Sequence, residues 1–222
     1  MMKILLISAS PRKERSQTFL LAKELLRGLK GKNTAYTIIH LCDLKIGFCR
    51  HCESCHKKIL SCPIKDDVSF VLKKMLDARG IIIATPNYID QVTGAMKTLF
   101  DRSSHFIHCK RLEDKYVAAV VSSGSGCNKK VLEYIEYYAH TCAAQYSGGV
   151  SARAPVSREN MEEAFILGKK LRLDIRKNRE FPRQIRIIEK GRAHFRKIIE
   201  ARKNEWTEEY RYWQEKMIRS GL

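Results

Sequence analysis

Two patterns of hydrophobic and polar positions alternate along the first two thirds of the chain. Short runs of apolar and β-branched residues predict buried strands, and apolar residues spaced three or four positions apart predict amphipathic helices. The strand pattern occurs over residues 3–9, 35–41, 80–85, 115–122 and 143–150. The helix pattern occurs between the strands, over residues 16–30, 66–77, 93–106 and 131–142.

This alternation predicts an α/β protein with a parallel sheet. Each helix between two successive strands forms a βαβ unit, and right-handed crossovers place helices on both faces of the sheet. Five strands fit the flavodoxin-like order 2-1-3-4-5. We therefore expect a flavodoxin-like doubly wound five-stranded domain over residues 1–150, with a cysteine-rich loop over residues 42–65.

The pattern changes after about residue 150. Residues 157–178 and 185–219 show helical spacing throughout, and no strand pattern follows. We expect residues 151–222 to form a helical, basic C-terminal extension. Trp206, Tyr210 and Trp213 recur at i, i+4 and i+7, so they share one face of a helix. We expect that face to pack on the domain or on a second subunit.

Composition and charge narrow the class of protein. No apolar run reaches the roughly 18–20 residues of a membrane span. The apolar start of the chain feeds directly into a polar loop, so we interpret it as a strand and expect a cytoplasmic protein. The net charge of +18 favours anionic partners such as a phosphorylated cofactor or an acidic redox protein. No motif typical of nucleic-acid binding occurs, so we do not expect nucleic acid as a partner.

The loop after the first strand has the features of an anion site. It has the sequence S-A-S-P-R-K-E-R-S-Q-T over residues 8–18, between a strand and the start of a helix. Backbone N–H groups and the helix dipole favour a negative charge there. The candidate donors are Ser10, Arg12, Ser16, Gln17 and Thr18. Neither G-x-G-x-x-G nor a P-loop motif is present, so the pattern suits a monophosphate better than a dinucleotide or a triphosphate.

Two further loops follow the third and fourth predicted strands. Pro86-Asn87-Tyr88 predicts a stiff turn with an aromatic side chain, which suits the edge of a flat ring. Gly124 and Gly126 allow the backbone to come close to a ligand. Because ligands of doubly wound sheets bind beyond the carboxyl ends of the strands, these loops and the anion loop together predict a flavin mononucleotide (FMN) pocket.

Four of the eight cysteines lie within fourteen residues, at Cys49, Cys52, Cys55 and Cys62. This C-x2-C-x2-C-x6-C spacing, closed by a proline, is typical of iron–sulfur ligands. Structural zinc sites usually take two ligands from each of two separated segments. His51 and His56 lie inside the run, so a zinc site with mixed ligands and a loop without metal remain alternatives. We expect the scattered cysteines to be small buried hydrophobic residues: Cys42, Cys109, Cys127 and Cys142.

Four segments together resemble the iron–sulfur flavoproteins, part of the wider NADPH-dependent FMN reductase group. They are S-A-S-P-R-K-E-R-S-Q-T, C-R-H-C-E-S-C-H-K-K-I-L-S-C-P-I-K-D-D, T-P-N-Y and G-A-M-K-T-L-F-D-R. The resemblance covers about residues 1–150. It implies that Ser10, Arg12, Ser16, Gln17 and Thr18 bind the FMN phosphate. It implies that Pro86, Asn87, Tyr88 and Ile89 lie near the isoalloxazine, with Ser123 and Gly124 opposite.

The resemblance also implies a [4Fe-4S] cluster on Cys49, Cys52, Cys55 and Cys62, and a homodimer or homotetramer. We expect an oxidoreductase that passes electrons between FMN and the cluster, with NAD(P)H or a ferredoxin-like acidic protein as partner. No residue is assigned an acid–base or nucleophilic catalytic role. One alternative is a cluster-free NAD(P)H-dependent FMN or quinone reductase. The other is a redox-responsive or zinc-bound interaction module.

Overall fold

A computed structural model describes residues 1–220 and contains a five-stranded parallel sheet in the order β2-β1-β3-β4-β5. The strands are β1 (Met2–Ser8), β2 (Thr34–His40), β3 (Gly80–Pro86), β4 (Tyr116–Ser123) and β5 (Gln145–Arg153). The helices are α1 (Gln17–Leu29), α2 (Ser54–Lys57), α3 (Val68–Asp77), α4 (Gly94–Asp101), α5 (Ser104–His108), α6 (Lys129–Thr141), α7 (Arg158–Arg176), α8 (Pro182–Ala201) and α9 (Thr207–Ser220). The predicted flavodoxin-like fold is confirmed.

The central strands are hydrophobic on both faces because helices cover both faces. In β1, Leu6 and Ile7 are fully buried although their side chains point to opposite faces. Ile7 pairs with Ile39 on one side and with Ile83 on the other. The parallel register places the carboxyl ends of β1, β3 and β4 at one edge of the sheet.

Two hydrophobic cores pack against the sheet. One contains residues of α3, α4, α5 and α6, and the other contains residues of α1 and α7. The backbones of α1 and α7 approach closely at two glycines. A Cβ on Gly28 would lie 2.1 Å from the carbonyl oxygen of Phe165, and one on Gly168 would lie 2.1 Å from that of Leu25. These glycines therefore allow α7 to lie directly beside α1.

The largest differences between the predicted and the observed elements occur at three places. The helix predicted over residues 93–106 is divided into α4 and α5, because the chain turns at Arg102 and Ser103. The Ser103 hydroxyl donates to the Phe100 carbonyl at 2.7 Å and stabilises that turn. The fifth strand begins at residue 145 instead of 143, after Ala143 adopts a positive φ of 72°. The helix predicted over residues 185–219 is divided into α8 and α9.

The segment over residues 182–220, which contains α8 and α9, is called here the C-terminal arm. Gln184 exchanges two hydrogen bonds with the backbone of Tyr146 on the edge strand β5, at 2.7 and 2.9 Å. Trp206 and Trp213 are each 5% exposed, and the Trp213 ring N–H donates to the His108 carbonyl at 3.3 Å. The predicted packing of the aromatic face on the domain is confirmed, while the division of the chain at residue 150 stays a prediction.

Within residues 1–220, no helix combines the length and the apolar character that crossing a membrane requires.

Candidate functional site

Three loops meet at the carboxyl edge of the sheet. Ser8 at the end of β1 pairs with Ala84, and Pro86 at the end of β3 pairs with Ser122 of β4. Beyond the paired residues, the Asn87 N–H donates to the Ser122 carbonyl at 2.9 Å. The structure therefore brings the loops that begin after residues 8, 86 and 123 to one edge, as predicted from the sequence.

In the first loop, two hydroxyls lie where they can serve an anion. The Ser10 hydroxyl accepts from the Arg12 N–H at 3.3 Å, and the Ser16 hydroxyl caps α1 by accepting from the Phe19 N–H at 2.9 Å. Each hydroxyl keeps its own proton for donation. The Arg12 side chain is exposed beside them. This loop offers hydroxyl donors and the positive charge of Arg12 at the amino end of a thirteen-residue helix.

Gln17 and Thr18 instead hold the loop in place. The Gln17 side-chain carbonyl accepts from the Val156 N–H at 2.8 Å. The Thr18 hydroxyl lies 2.6 Å from the Ser122 hydroxyl, and Thr18 is only 1% exposed. Their assignment as phosphate donors stays a prediction, and their contacts here are with β4 and with the segment before α7.

The second loop projects an apolar tip from the edge. Tyr88 and Gln91 exchange two backbone hydrogen bonds, so the chain reverses direction through Ile89 and Asp90. Both residues have positive φ, 53° and 57°, and Ile89 is 99% exposed. A β-branched residue in this conformation stores about 1–3 kcal/mol of strain. A strained, fully exposed isoleucine beside the half-exposed Tyr88 is typical of a surface built for contact.

Asn87 and the third loop present polar groups and open space at the same edge. The Asn87 amide N–H donates to the Cys127 carbonyl at 2.9 Å, whereas its side-chain oxygen is buried without a hydrogen-bond partner in the described chain. The Ser123 hydroxyl accepts from the Gly126 N–H at 2.9 Å. A Cβ placed on Gly124 would contact nothing within 4 Å. The unpaired oxygen of Asn87 fits a ligand that brings its own N–H donor, and the space at Gly124 leaves room for a ligand near the third loop.

The four clustered cysteines line one cavity of about 360 Å³. Cys49 and Cys52 are exposed, and Cys55 and Cys62 are partly buried. Hydrogen bonds from Ser54 lower the pKa of Cys52, which favours the thiolate form that binds metals. Residues far along the chain complete the wall of the cavity, among them Arg102, His105, His108, Arg202 and Trp206.

Arg102 connects the cysteine loop to the end of α4. Its guanidinium donates to both carboxylate oxygens of Asp66 at 2.7 and 3.1 Å, to the Gly47 carbonyl at 2.6 Å and to the Cys62 sulfur at 3.2 Å. Both charged side chains are almost fully buried. Burial alone would raise the pKa of Asp66, but the hydrogen bonds from Arg102 and the backbone outweigh it and the pKa is lowered. A fixed positive charge therefore lies against one of the four sulfurs.

His105 lines the cavity with both ring nitrogens unsatisfied. The side chain is 1% exposed, and neither nitrogen has a hydrogen-bond partner in the described chain. Burial lowers the pKa of His105 to about 3, so the ring is neutral near pH 7. An unpaired buried polar group costs about 1–3 kcal/mol. A metal–sulfur group in the cavity would offer the ring a partner, so the orphaned nitrogens and the four thiols fit such a group.

The C-terminal arm supplies a buried carboxylate beside the same cavity. Glu209 is 0% exposed and accepts from His56 Nδ1 at 2.6 Å and from His108 Nδ1 at 3.0 Å. The other nitrogen of His56, Nε2, lies 4.0 Å from the Cys55 sulfur. Burial opposes the charged form of His56, but hydrogen bonds with Cys55 and Glu209 outweigh it and raise the pKa to about 9. Trp206 packs over both imidazole rings, at centroid distances of 4.6 and 4.8 Å.

Sequence patterns did not identify several of these residues as part of the site. They are Arg102, His105, His108, Arg202 and Glu209. Glu209 lies 153 positions from His56, so no local spacing links them. Two predictions about the scattered cysteines are wrong, because Cys42 and Cys127 are exposed at the ends of strands, in loops at the sheet edge. Cys109 and Cys142 are buried, as predicted.

Comparisons with known proteins identify the family of this chain. The family model described as NADPH-dependent FMN reductase matches residues 2–153. An iron–sulfur flavoprotein of Archaeoglobus fulgidus is 40% identical over 55% of this chain, and the match spans 60% of that relative's length. An iron–sulfur flavoprotein of Methanocaldococcus jannaschii is 33% identical over 77% of this chain and 95% of its own.

Two solved structures share the fold at low sequence identity. A flavone reductase superposes with a TM-score of 0.62 at 23% identity, over 79% of this chain and 63% of its own. An NADH:FMN oxidoreductase superposes with a TM-score of 0.60 at 19% identity, over 78% of this chain and 90% of its own. From the family match and the relatives, the chain belongs to the NADPH-dependent FMN reductase family of oxidoreductases, among the iron–sulfur flavoproteins.

Proposed function

We propose that this protein binds FMN at the carboxyl edge of the sheet and a [4Fe-4S] cluster at the four clustered cysteines, and passes electrons between them. One observation carries the proposal. Four cysteines spaced like iron–sulfur ligands line a single cavity of about 360 Å³ in a chain of the FMN reductase family. A flavin takes up two electrons together and releases them one at a time, and a cluster carries one.

The loop residues divide the binding of FMN between them. Ser10, Ser16 and Arg12 donate to the phosphate at the amino end of α1. The exposed Tyr88 offers an aromatic face to the flat ring, and the orphaned oxygen of Asn87 accepts one of the ring's N–H groups. Open space at Gly124 lets the backbone approach from the other side.

The residues around the cysteine cavity set the electrostatics of the cluster site. Cys49, Cys52, Cys55 and Cys62 supply the four thiolates. The Arg102 guanidinium donates to the Cys62 sulfur, and hydrogen bonds to sulfur are one determinant of cluster potential. The positive charge also favours the more negative reduced state.

We infer that the electron partners are anionic. The net charge of +18 attracts NAD(P)H and acidic one-electron carrier proteins, and raises their rate of encounter. The exposed tip formed by Tyr88 and Ile89 provides apolar surface at the flavin edge, which suits a stacked nicotinamide or a second copy of the chain in a dimer or tetramer.

The test is a cofactor analysis of protein purified without oxygen. We expect bound FMN together with iron and acid-labile sulfide, and no stoichiometric zinc. Cys55→Ser should lose the iron and the broad visible absorption while keeping FMN. Cys127→Ser, which replaces an exposed cysteine outside the cavity, is the matched control and should keep both. Full iron retention in Cys55→Ser would contradict the cluster assignment.

The same preparation distinguishes the proposed function from a cluster-free reductase and from a zinc site. Protein that contains FMN but no iron, and whose flavin is bleached rapidly by NADPH in stopped-flow mixing, would be a cluster-free reductase. Stoichiometric zinc that disappears in Cys55→Ser would instead assign the cavity to zinc.

A further inference from the structure

Helix α2, which carries Cys55, is too short to hold its own conformation. It contains only the four residues Ser54–Lys57, and Glu53 before it has a positive φ of 56°. A single helical turn is unstable in water, because fixing its backbone costs more than its few hydrogen bonds return. The position of Cys55 must therefore be set by contacts from outside the cysteine loop.

The C-terminal arm provides those contacts along the whole length of α2. Arg202 pairs with both oxygens of Glu53 at 2.9 and 2.7 Å, and the Trp206 ring N–H donates to the same carboxylate at 3.2 Å. At the other end of α2, the Glu208 carboxylate accepts from the Ile59 N–H at 2.7 Å. Glu209 lies between these contacts and bonds to His56.

The cluster of His56, His108 and Glu209 has the composition of a metal site, but its geometry is different. The two imidazole rings are stacked, with centroids 4.7 Å apart and an angle of 15° between their planes. Nitrogen lone pairs lie in the ring plane, so those of two stacked rings do not converge on an ion about 2.0–2.1 Å from each. Each Nδ1 faces a separate oxygen of Glu209 instead. The carboxylate is a bridge that holds two parallel N–H donors.

We propose that the C-terminal arm is part of the redox site, and that Glu209 is a positioning residue which holds the His56 ring so that Nε2 faces the Cys55 sulfur. The inference rests on the proposed function for its link to a cluster. It goes beyond that function because the family match ends at residue 153, whereas Glu209 belongs to a segment outside it.

The surrounding contacts leave the His56 ring little freedom to rotate. His56 is held at Nδ1 by Glu209, and its ring packs against the rings of His108 and Trp206, at centroid distances of 4.7 and 4.6 Å. With the ring fixed at these points, Nε2 stays on the Cys55 side. Glutamine at position 209 can accept from only one of the two Nδ1–H groups, because its amide NH2 would face the other donor. The ring of His56 or His108 would then lose its anchor.

The first test measures Cys55 without any cluster. The full-length chain is freed of iron by chelation without oxygen, and pulse alkylation with iodoacetamide is followed by mass spectrometry at each cysteine. We expect the alkylation rate of Cys55 to change several-fold in Glu209→Gln relative to the wild type, because its sulfur loses the imidazole held against it, with Cys127 as the internal standard. Glu215→Gln removes the same charge from an exposed position of α9 and should leave the rate unchanged.

The second test uses the iron-loaded protein. The midpoint potential of the cluster, followed by electron paramagnetic resonance, should fall in Glu209→Gln because the sulfur loses a positioned N–H neighbour. The FMN potential should stay the same. In a His56→Phe background, Glu209→Gln should have no further effect on the cluster potential, since Glu209 acts through His56.

An unchanged alkylation rate of Cys55 in Glu209→Gln would overturn the proposal. Equal changes of that rate in Glu209→Gln and Glu215→Gln would also overturn it. If circular dichroism shows that Glu209→Gln is unfolded, the alkylation rates are measured on Glu209→Asp instead. Aspartate keeps the negative charge, but its side chain is too short to reach both imidazole rings. Wild-type protein without iron would refute the cluster, yet it would leave the alkylation test of Glu209 intact.

Discussion

The carboxyl edge of the sheet and the cysteine cavity lie in one chain, but different kinds of contact hold them in place. At the edge, the loops leave strands whose central residues are fully buried, and backbone hydrogen bonds such as Asn87 N–H to the Ser122 carbonyl tie one loop to the next. Around the cavity, side-chain contacts hold the wall in place. Arg102, Arg202 and Glu209 make ion pairs or hydrogen bonds with residues distant in sequence.

We expect the two sites to respond differently to mutation. Substitution of one side chain at the carboxyl edge of the sheet removes one contact but leaves the backbone hydrogen bonds between strands and loops intact. Substitution of one buried charge near the cavity leaves its partner uncompensated, which costs several kcal/mol. We therefore expect the two sites to fail separately, and the cavity to be the more sensitive.

Arg102→Met should have the largest effect. It leaves the buried carboxylate of Asp66 without its counter-charge, and we expect the free energy of unfolding to fall by about 3–5 kcal/mol. Iron content should fall with it, while FMN binding persists at low temperature. Denaturant unfolding and cofactor analysis provide the measurements. The control is Lys97→Met, which breaks an exposed pair on α4 and should change stability by less than about 0.5 kcal/mol.

Trp206→Ala should follow, with a loss of about 3 kcal/mol from removing a buried aromatic side chain. Because Trp206 packs on His56 and His108, the ratio of bound iron to FMN should fall. Tyr137→Ala, at a tyrosine that is 66% exposed on α6, should leave both the stability and the ratio near wild type. A fall in FMN content that matches the fall in iron would contradict the independence of the two sites.

The buried Lys110, which lies against the C-terminal arm, predicts a dependence of stability on pH. The lysine is 1% exposed, donates to the Thr141 carbonyl at 2.8 Å and lies over the Phe195 ring of the arm. Burial lowers its pKa from 10.5 to about 8 in the folded protein. Between these values the unfolded chain binds more protons than the folded one, so the lysine's contribution to stability rises with pH.

Relative to Lys110→Met, the wild type should therefore gain about 2 kcal/mol as the pH rises from 8 to 10.5. Unfolding by denaturant at a series of pH values measures the difference. Lys177→Met, at an exposed position, should follow the wild type across the range. A difference between wild type and Lys110→Met that stays constant with pH would show that Lys110 is charged in the folded protein.

Ser16→Ala should have the smallest effect on stability, about 1 kcal/mol from the loss of the cap on α1. Its effect on FMN binding should be specific, because we propose that the same hydroxyl donates to the FMN phosphate. Ser157→Ala removes the cap of α7 and should destabilise by a similar amount. Fluorescence titration with FMN should show weaker binding in Ser16→Ala alone, and equal affinities would remove Ser16 from the phosphate site.

Much of the fold followed from local pattern. The buried runs at residues 3–9 and 115–122 predicted β1 and β4 to within one residue at each end, because central parallel strands carry an uninterrupted apolar signal. The edge strand β5 was displaced by two or three residues, since it contains Gly148 and Gly149 and its signal is weaker.

The breaks in the predicted helices could not be derived from the sequence in the same way. Both occur where an arginine pairs with an acidic residue distant in sequence: Arg102 with Asp66, and Arg202 with Glu53. Helical spacing continues through both positions, so only the tertiary contacts reveal the turns. The four cysteines were predictable as a set because they lie close together in sequence. Glu209 was not predictable, because it lies 153 positions from His56.

The separation of 153 positions between His56 and Glu209 also determines the order in which the two sites can form during translation. All five strands of the sheet have left the ribosome once Arg153 emerges and clears the exit tunnel. The cysteine loop emerges earlier still, but it lacks the part of its cavity wall that Arg202 and Trp206 form until those residues have also been made. Any ligand of the four thiols that reaches the nascent chain before then meets a loop whose wall is incomplete.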